Sequence, residues 1–436
     1  MIDVNEFTQR RNALIQQMGS GVAIIPTAPE VARNRDSHYP YRFDSYFYYL
    51  TGFKEPEAFL VLIAGAKPKS ILFCRDKDVE REVWDGFRFG PEAAKEEFSF
   101  DEAYSISQLD EMMPKLMSNQ SQLFYSLGAD SAWDKKVTTW LAQVKNLIRT
   151  GVSAPKGVMD VRQLVDQQRL VKTPFEIDLM RRSASIAAIA HNRAMQKTKV
   201  GKMEYEIEAE FLHEFYRKGA QAPAYTSIVA SGASACTLHY NANNAMLSDG
   251  DLLLIDAGCE LDGYASDITR TTPVNGKFSA AQKDLYELVL ASQLAAIEAA
   301  NPANHWNAPH EAALSILVQG FIDLGLCQGT KEEVLENGGY RQFYMHRTGH
   351  WLGLDVHDVG DYKDKDNHWT RLKAGHVLTV EPGCYVRPAE NVPEHFWNIG
   401  IRIEDDVLIT AKGNEVLSRA AVKSVAEIEA QMAEAK

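Results

Sequence analysis

The stretch LLLIDAGCELDGYASDITRTTPV (252–274) constrains the fold more than any other part of the chain. Asp262-Gly263 is a strong two-residue hairpin signal, because both central turn positions need a positive φ that Asp and Gly tolerate. Folding about it pairs residues whose numbers sum to 525, so Asp256 faces Thr269. Asp267 lies two places along on the same face, which makes the two carboxylates diagonal neighbours roughly 7–8 Å apart at the backbone. Asp256 ends the apolar run LLLI, where an unpaired charge would be costly. The competing explanation is a pair of ordinary hairpin aspartates, and a three-residue turn would put them on opposite faces.

Three further residues complete a candidate metal-binding set of Asp256, Asp267, His350, Glu381 and Glu404. Glu381 follows HVLTV and precedes Pro382-Gly383, so a turn fixes its direction. Glu404 sits in IGIRIEDD, with Gly400, Arg402 and Glu404 alternating against Ile399, Ile401 and Ile403. Arg402, two residues from Glu404 on the same face, suggests a partner that orients that carboxylate, with a surface salt-bridge pair on an amphipathic strand as the rival. Four carboxylates with one imidazole suit Mn²⁺-type ions better than a structural zinc, which prefers Cys and His. Two divalent ions would offset the four charges, and two-metal sites serve hydrolysis.

His346, His350 and His357 cluster in FYMHRTGHWLGLDVHD. Gly349 and Gly353 argue against a helix there, and Arg347 excludes the zinc-protease H-E-x-x-H arrangement. One such His can ligate metal while another moves protons near neutral pH. His239, in ACTLHYNANN, is a fourth candidate. His38, His191, His213, His305, His310, His368 and His395 carry no comparable context, and nothing fixes the direction of His376.

The 436 residues allow two or three domains. A net charge of −13 argues against non-specific nucleic-acid binding. Five scattered cysteines lack any C-x-x-C pair, so neither a zinc knuckle nor a disulfide framework is indicated. MIDVNEFTQRRNAL reads as a short helix rather than a signal peptide, and no apolar run is long enough to span a membrane. The expected address is cytoplasmic.

VAIIP (22–26), FLVLIAG (59–65), SILFC (70–74) and LFYSLG (123–128) read as strands. The aromatic stretch 39–53 reads as a packed strand plus turn, with an oligomer or pocket surface as the rival. A junction near residue 170 separates domains 1–170 and 171–436. Thr173-Pro174-Phe175-Glu176 is a capping box with proline at the first helical position. It opens a long helix with an apolar stripe through Phe175, Leu179, Ile186 and Ile189. A second helix is expected from about Met203 to Lys218, stopped by Gly219. Strands are expected over 227–232, 252–258, 264–274, 376–383 and 399–410. Helices are expected over 279–300 and 309–324, with a short surface helix from Val425. Grouped helices and strands favour an α+β domain with a largely antiparallel sheet.

TLHY (237–240), LIDAGCELDGYASDITRT (254–271), HRTGHWLGLDVHD (346–358), LTVEPG (378–383) and GIRIEDD (400–406) together resemble the pita-bread metallopeptidases, and among them the aminopeptidase P, or Xaa-Pro aminopeptidase, family. NRDSHYPYRFDSYFYYLTGF resembles that family's N-terminal domain. The resemblance implies an α/β creatinase-like N-terminal domain and an α+β pita-bread catalytic domain with a curved, mainly antiparallel sheet. It implies an aminopeptidase that releases the residue before a proline in second position, through a hydroxide between two metals. Asp256 would hold one metal, Asp267 and Glu404 would bridge both, and His350 and Glu381 would complete the other. Glu381 would also relay the nucleophile's proton. His239 and His357 would act on substrate, with His346, Arg402 and Trp84 on the substrate side. A homotetramer or homodimer is implied. Same-fold rivals are a prolidase confined to Xaa-Pro dipeptides and a metal-free peptide-binding protein. A methionine aminopeptidase needs no leading domain of this size.

Overall fold

The computed structural model describes residues 4–434. Two compact units follow one another along the chain, the first ending at Arg169 and the second beginning at Leu170. Among the described residues no helix is long and apolar enough to cross a membrane.

The first unit is built on a six-stranded mixed sheet. Its strands run in the order Glu102–Ser105, Lys69–Cys74, Phe59–Ala64, Gly21–Pro26, Leu123–Phe124 and Val158–Met159. The three central strands pair antiparallel, and the outer pairings are parallel. Val22, Ile24, Phe59, Val61, Ile71 and Phe73 pack against helices Leu109–Met117 and Ser131–Asn146. The alternate residues Ala23, Ile25, Leu60 and Leu62 are buried as well, so both faces of the sheet are covered. The α/β expectation therefore holds.

The aromatic stretch differs from its expected strand. Ser45–Thr51 is a helix, capped by the Asp44 carboxylate accepting from the Phe47 N–H at 2.9 Å and ended by Gly52 at φ 67°. A good N-cap and a left-handed C-cap override the β preference of the aromatics. The N-terminal helix is present as Val4–Met18; the first three residues of that expected helix lie outside the described residues.

Every pairing between strands of the second unit is antiparallel. Asp262 and Gly263 have φ of 50° and 84°, the primed turn that Asp-Gly favours. The register is the expected one from end to end, with Leu261 opposite Tyr264, Glu260 opposite Ala265 and Asp256 opposite Thr269. The strands fall in separate sheets of two or three. Helices Pro174–Lys197 and Glu204–Arg217 pack on Ile228–Ser231, Leu252–Asp256 and Cys259–Leu261, and Ala280–Ala299 and Ala308–Asp323 on Gly383–Val386 and Ile399–Arg402. The capping box at Thr173 is formed, its hydroxyl accepting from the Glu176 N–H while Glu176 accepts from the Thr173 N–H.

Three details depart from the sequence reading. Ile189 is 40% exposed and Phe175 only partly buried. Leu179 and Ile186 are buried as expected, but the buried face also carries Ser183, Ala184, Ala187, His191 and Ala194. It bonds to the neighbouring strands through Ser183 to the Cys259 carbonyl and His191 to the Ala257 carbonyl, both at 2.9 Å. The helix Val425–Ala433 is not merely superficial, since Val425, Ile428 and Met432 join the core. The expected strands 264–274 and 399–410 are each broken in two.

Gly258 lies where hairpin strands cross closely, and a Cβ there would fall onto the carbonyl oxygen of Ser266. Backbone cannot yield as a side chain can, so Gly258→Ala should cost about 3 kcal/mol. Thermal unfolding of the second unit tests this; a change within about 0.5 kcal/mol, as for a neutral surface substitution, would contradict it.

Candidate metal centre

The breaks in the two long strands fall at candidate ligands. Between Tyr264–Ala265 and Thr269–Pro273, the N–H of Asp267 turns from the ladder to the Asp406 carboxylate at 3.1 Å. Between Ile399–Arg402 and Asp405–Thr410, the N–H of Glu404 donates to the Thr269 carbonyl at 3.1 Å. Glu381 lies between strands Val377–Val380 and Gly383–Val386, with its N–H on the Thr348 carbonyl at 2.8 Å. Asp256 ends its strand. Each carboxylate thus sits where a strand stops and its side chain leaves the regular pleat.

One cavity of about 850 Å³ in the second unit is lined by Asp256, Asp267, His350, Glu381 and Glu404 together. Asp267, His350 and Glu404 each offer a donor atom, all within 4.8 Å of one another. His350 Nε2 is 3.4 Å from Asp267 and 3.7 Å from Glu381. Its Nδ1 faces the Trp351 carbonyl at 2.9 Å, so that nitrogen carries the proton and Nε2 points inward. The Tyr225 hydroxyl contacts Asp256 at 2.6 Å and Asp267 at 2.5 Å, joining the two hairpin carboxylates. His239, His346, His357 and Arg402 line the same cavity. Trp84 does not; it is 83% exposed in the first unit.

Arg402 is held on three sides. It donates to Asp256 at 2.5 Å, to the Thr269 hydroxyl at 3.1 Å and to the Tyr385 hydroxyl at 3.0 Å. Thr269 in turn donates to Glu404 at 2.6 Å. Tyr385 also lies 2.9 Å from His346 Nε2, while His346 Nδ1 faces the Arg347 carbonyl at 2.7 Å. A carbonyl only accepts, so Nδ1–H donates and Nε2 accepts from Tyr385. Behind the ligands, Arg270 donates to the carbonyls of Thr269 and Glu404 and pairs with the buried Asp405 at 2.8 Å.

Crowded negative charge dominates the electrostatics. Burial, then the neighbouring carboxylates, push Glu404 well above the usual carboxylate range. Burial raises Asp267 too, and raises Glu381 to about 7 although His350 and Arg402 pull it down. Burial works against a charged His350, yet Asp267 and Glu381 overcome it and raise the imidazole to about 9. Burial followed by Arg402 lowers His346 to about 4. Burial also lowers His357, whose ring meets that of His350 edge-on at 4.3 Å. Four carboxylates around one bound arginine leave an excess of hard, negative oxygen donors beside one imidazole, and that donor set fits divalent cations.

Residues 178–411 match metallopeptidase family M24, and residues 7–125 match the aminopeptidase P N-terminal domain. The chain belongs to metallopeptidase family M24. Among family relatives, the Xaa-Pro aminopeptidase of Escherichia coli is 44% identical, covering 100% of this chain and 99% of its own. Human Xaa-Pro aminopeptidase 3 is 33% identical over 97% of this chain and 85% of its own. The structure superposes on the Pseudomonas aeruginosa aminopeptidase PepP with a TM-score of 0.98 at 46% identity, covering 100% and 99% of the two chains. A substrate complex of E. coli aminopeptidase P gives 0.97 at 44% identity with the same coverage. The M24 assignment agrees with the fold, a mixed-sheet N-terminal unit followed by an antiparallel catalytic one.

Sequence reasoning missed several residues of this M24 site. Tyr225, Thr269 and Tyr385 are hydroxyls that bind the carboxylates or their arginine, and a lone hydroxyl gives no signal of its own in sequence. His310 and His191 had been set aside. His310 Nδ1 is 2.8 Å from the Thr348 hydroxyl, whose own backbone carbonyl holds the Glu381 N–H. His191 holds the Ala257 carbonyl, next to Asp256. His376 is buried against the Trp351 ring and does not line the cavity.

These shifts set a pH dependence. With His350 raised from 6.5 to about 9, the metal-free folded chain keeps a proton that the unfolded chain releases above pH 6.5. That stability is lost as pH rises through about 9, and the raised Asp267 and Glu404 act in the same direction. In chelator, the melting temperature should fall between about pH 7 and 9, and added Mn²⁺ should abolish or reverse the decline. A melting temperature that is flat or rising over that window in chelator would contradict the assigned charge crowding.

Proposed function

We propose that this chain releases the N-terminal residue from peptides with proline in second position, with two divalent cations, Mn²⁺ by preference, held by Asp256, Asp267, His350, Glu381 and Glu404. The observation that carries this reading is the convergence of those donors in one cavity, in a chain matching Xaa-Pro aminopeptidases along its full length. Bound there, the cations would supply an acidified water and polarise the scissile carbonyl. Glu381, lining the cavity 3.7 Å from His350, takes the proton of the attacking water and returns it to the proline nitrogen as the C–N bond breaks. As in any amide hydrolysis, that nitrogen must gain a proton to leave as the amine. His239 and His357 stabilise the developing oxyanion or assist that proton. His346, kept neutral and locked by Tyr385 behind it, supplies a fixed ring to the cavity wall.

The full-length match to Xaa-Pro aminopeptidases supports the aminopeptidase reading over a prolidase. Arg402 itself is tied to Asp256, Thr269 and Tyr385 and is not free for a dipeptide carboxylate. A metal-free peptide binder would gain nothing from four crowded carboxylates. Trp84 lies on the helix Val79–Asp85, and Val79, Val83, Trp84 and Phe87 are all exposed. Such a patch supports self-association as a dimer or tetramer, with Trp84 closing a neighbour's site. The five cysteines are buried and unpaired, which supports a reducing, cytoplasmic address.

Peptides Xaa-Pro-Yaa should be hydrolysed with Mn²⁺, lose hydrolysis in chelator and regain it on re-addition. Inactivity on tripeptides with activity on Xaa-Pro dipeptides would overturn the reading in favour of a prolidase. Asp267→Ala should lower kcat by at least about 10³-fold with the fold intact. Wild-type turnover by that variant, measured on the same peptides, would refute its role.

A further inference from the structure

Two arginines line the cavity, and their surroundings differ. Arg402 is fully engaged by Asp256, Thr269 and Tyr385. Arg347 is exposed and, among the described residues, has no carboxylate within ion-pair distance. Its guanidinium donates to the side-chain carbonyl of Asn307 and lies 5.2 Å from the centre of the Trp369 ring. Asn307 is itself fixed, because its amide nitrogen donates to Glu311 at 2.6 Å. The guanidinium is therefore oriented in advance without being neutralised. Lys363 also lies over Trp369, at 4.5 Å, and likewise lacks an ion pair among the described residues. Trp306 and Tyr362, with ring centres 4.6 Å apart, complete an aromatic wall in the same cavity.

The cavity thus carries two kinds of charge. One group of side chains is carboxylate-rich and suits cations and amines; the other is cationic and aromatic. A short peptide has an amine at one end and a carboxylate at the other. A preset, unpaired guanidinium is the side chain best shaped to take a carboxylate through two parallel hydrogen bonds. We propose that Arg347 binds the free C-terminal carboxylate of Xaa-Pro-Yaa tripeptides, with Trp306, Tyr362 and Trp369 covering the residue that bears it. Arg347 is then the specificity-determining residue for peptide length and for a free C terminus. The assignment rests on the proposed aminopeptidase function and extends it to a substrate class.

The test compares an Xaa-Pro-Yaa tripeptide with its C-terminal amide, using the full chain loaded with Mn²⁺. The wild type should favour the free acid by about tenfold in kcat/KM, mainly through KM. Arg347→Gln should bring the acid-to-amide ratio close to one, and Arg347→Lys should keep an intermediate ratio. The ratio is internal to each preparation, so partial misfolding of a variant cancels. A wild-type ratio near one, or a ratio unchanged in Arg347→Gln, overturns the assignment while leaving the aminopeptidase function in place. Failure of the wild type to cleave either peptide overturns that function, and this assignment with it.

Discussion

Mutual repulsion among four carboxylates shapes the second unit. Asp256, Asp267, Glu381 and Glu404 approach one cavity from three separate segments, and Glu404 is only 1% exposed. The chain sets Arg402 against them, with Asp267 and Glu381 raising the His350 imidazole, and that is too little positive charge to neutralise the group. Burying such charges without partners is costly, which is why the metal-free site holds protons above their usual range. Divalent cations bound there would offset the crowded charge and supply hydrolytic chemistry, so the carboxylate crowding and the proposed function would share one origin.

The surrounding structure keeps the carboxylates from relaxing apart. Arg402 clamps Asp256 and, through Thr269, Glu404. Tyr225 ties Asp256 to Asp267. Arg270 holds the carbonyls of Thr269 and Glu404 from behind and is itself anchored by Asp405. Despite its burial, Asp405 is kept well below the usual carboxylate range by Arg270 and Lys423. The same unit therefore contains one carboxylate paired for structure and, one residue away, another left with an elevated affinity for protons. Interlocking hydrogen bonds of this kind fix geometry more firmly than their individual strengths suggest.

Much of this was legible in the chain. Asp-Gly turn chemistry fixes a hairpin register locally, so the pairing of Asp256 with Thr269 could be worked out before any coordinates. The capping box at Thr173 is equally local. The other candidate ligands, His350, Glu381 and Glu404, stood out by residue type and position, and the resemblance of five short motifs to a known metallopeptidase family added their expected roles. What escaped depended on distant partners. The strands break at Asp267 and Glu404 because their N–H groups find acceptors at Asp406 and Thr269, far away in sequence. The helix Ser45–Thr51 hid behind aromatic β propensity, since its decisive features are a single cap residue at each end. The face of Pro174–Lys197 that packs on the sheet is lined by small residues, so a search for large apolar ones picked the exposed Ile189.

The proposed role of this carboxylate cluster is to hold a pair of cations. Anomalous diffraction at the manganese edge, from crystals of the full chain grown with Mn²⁺, tests it most directly. Two ions per chain should appear in the cavity, within ligating distance of Asp256, Asp267, His350, Glu381 and Glu404. A manganese-soaked cavity without an ion, or with those side chains turned away from it, would contradict the claim.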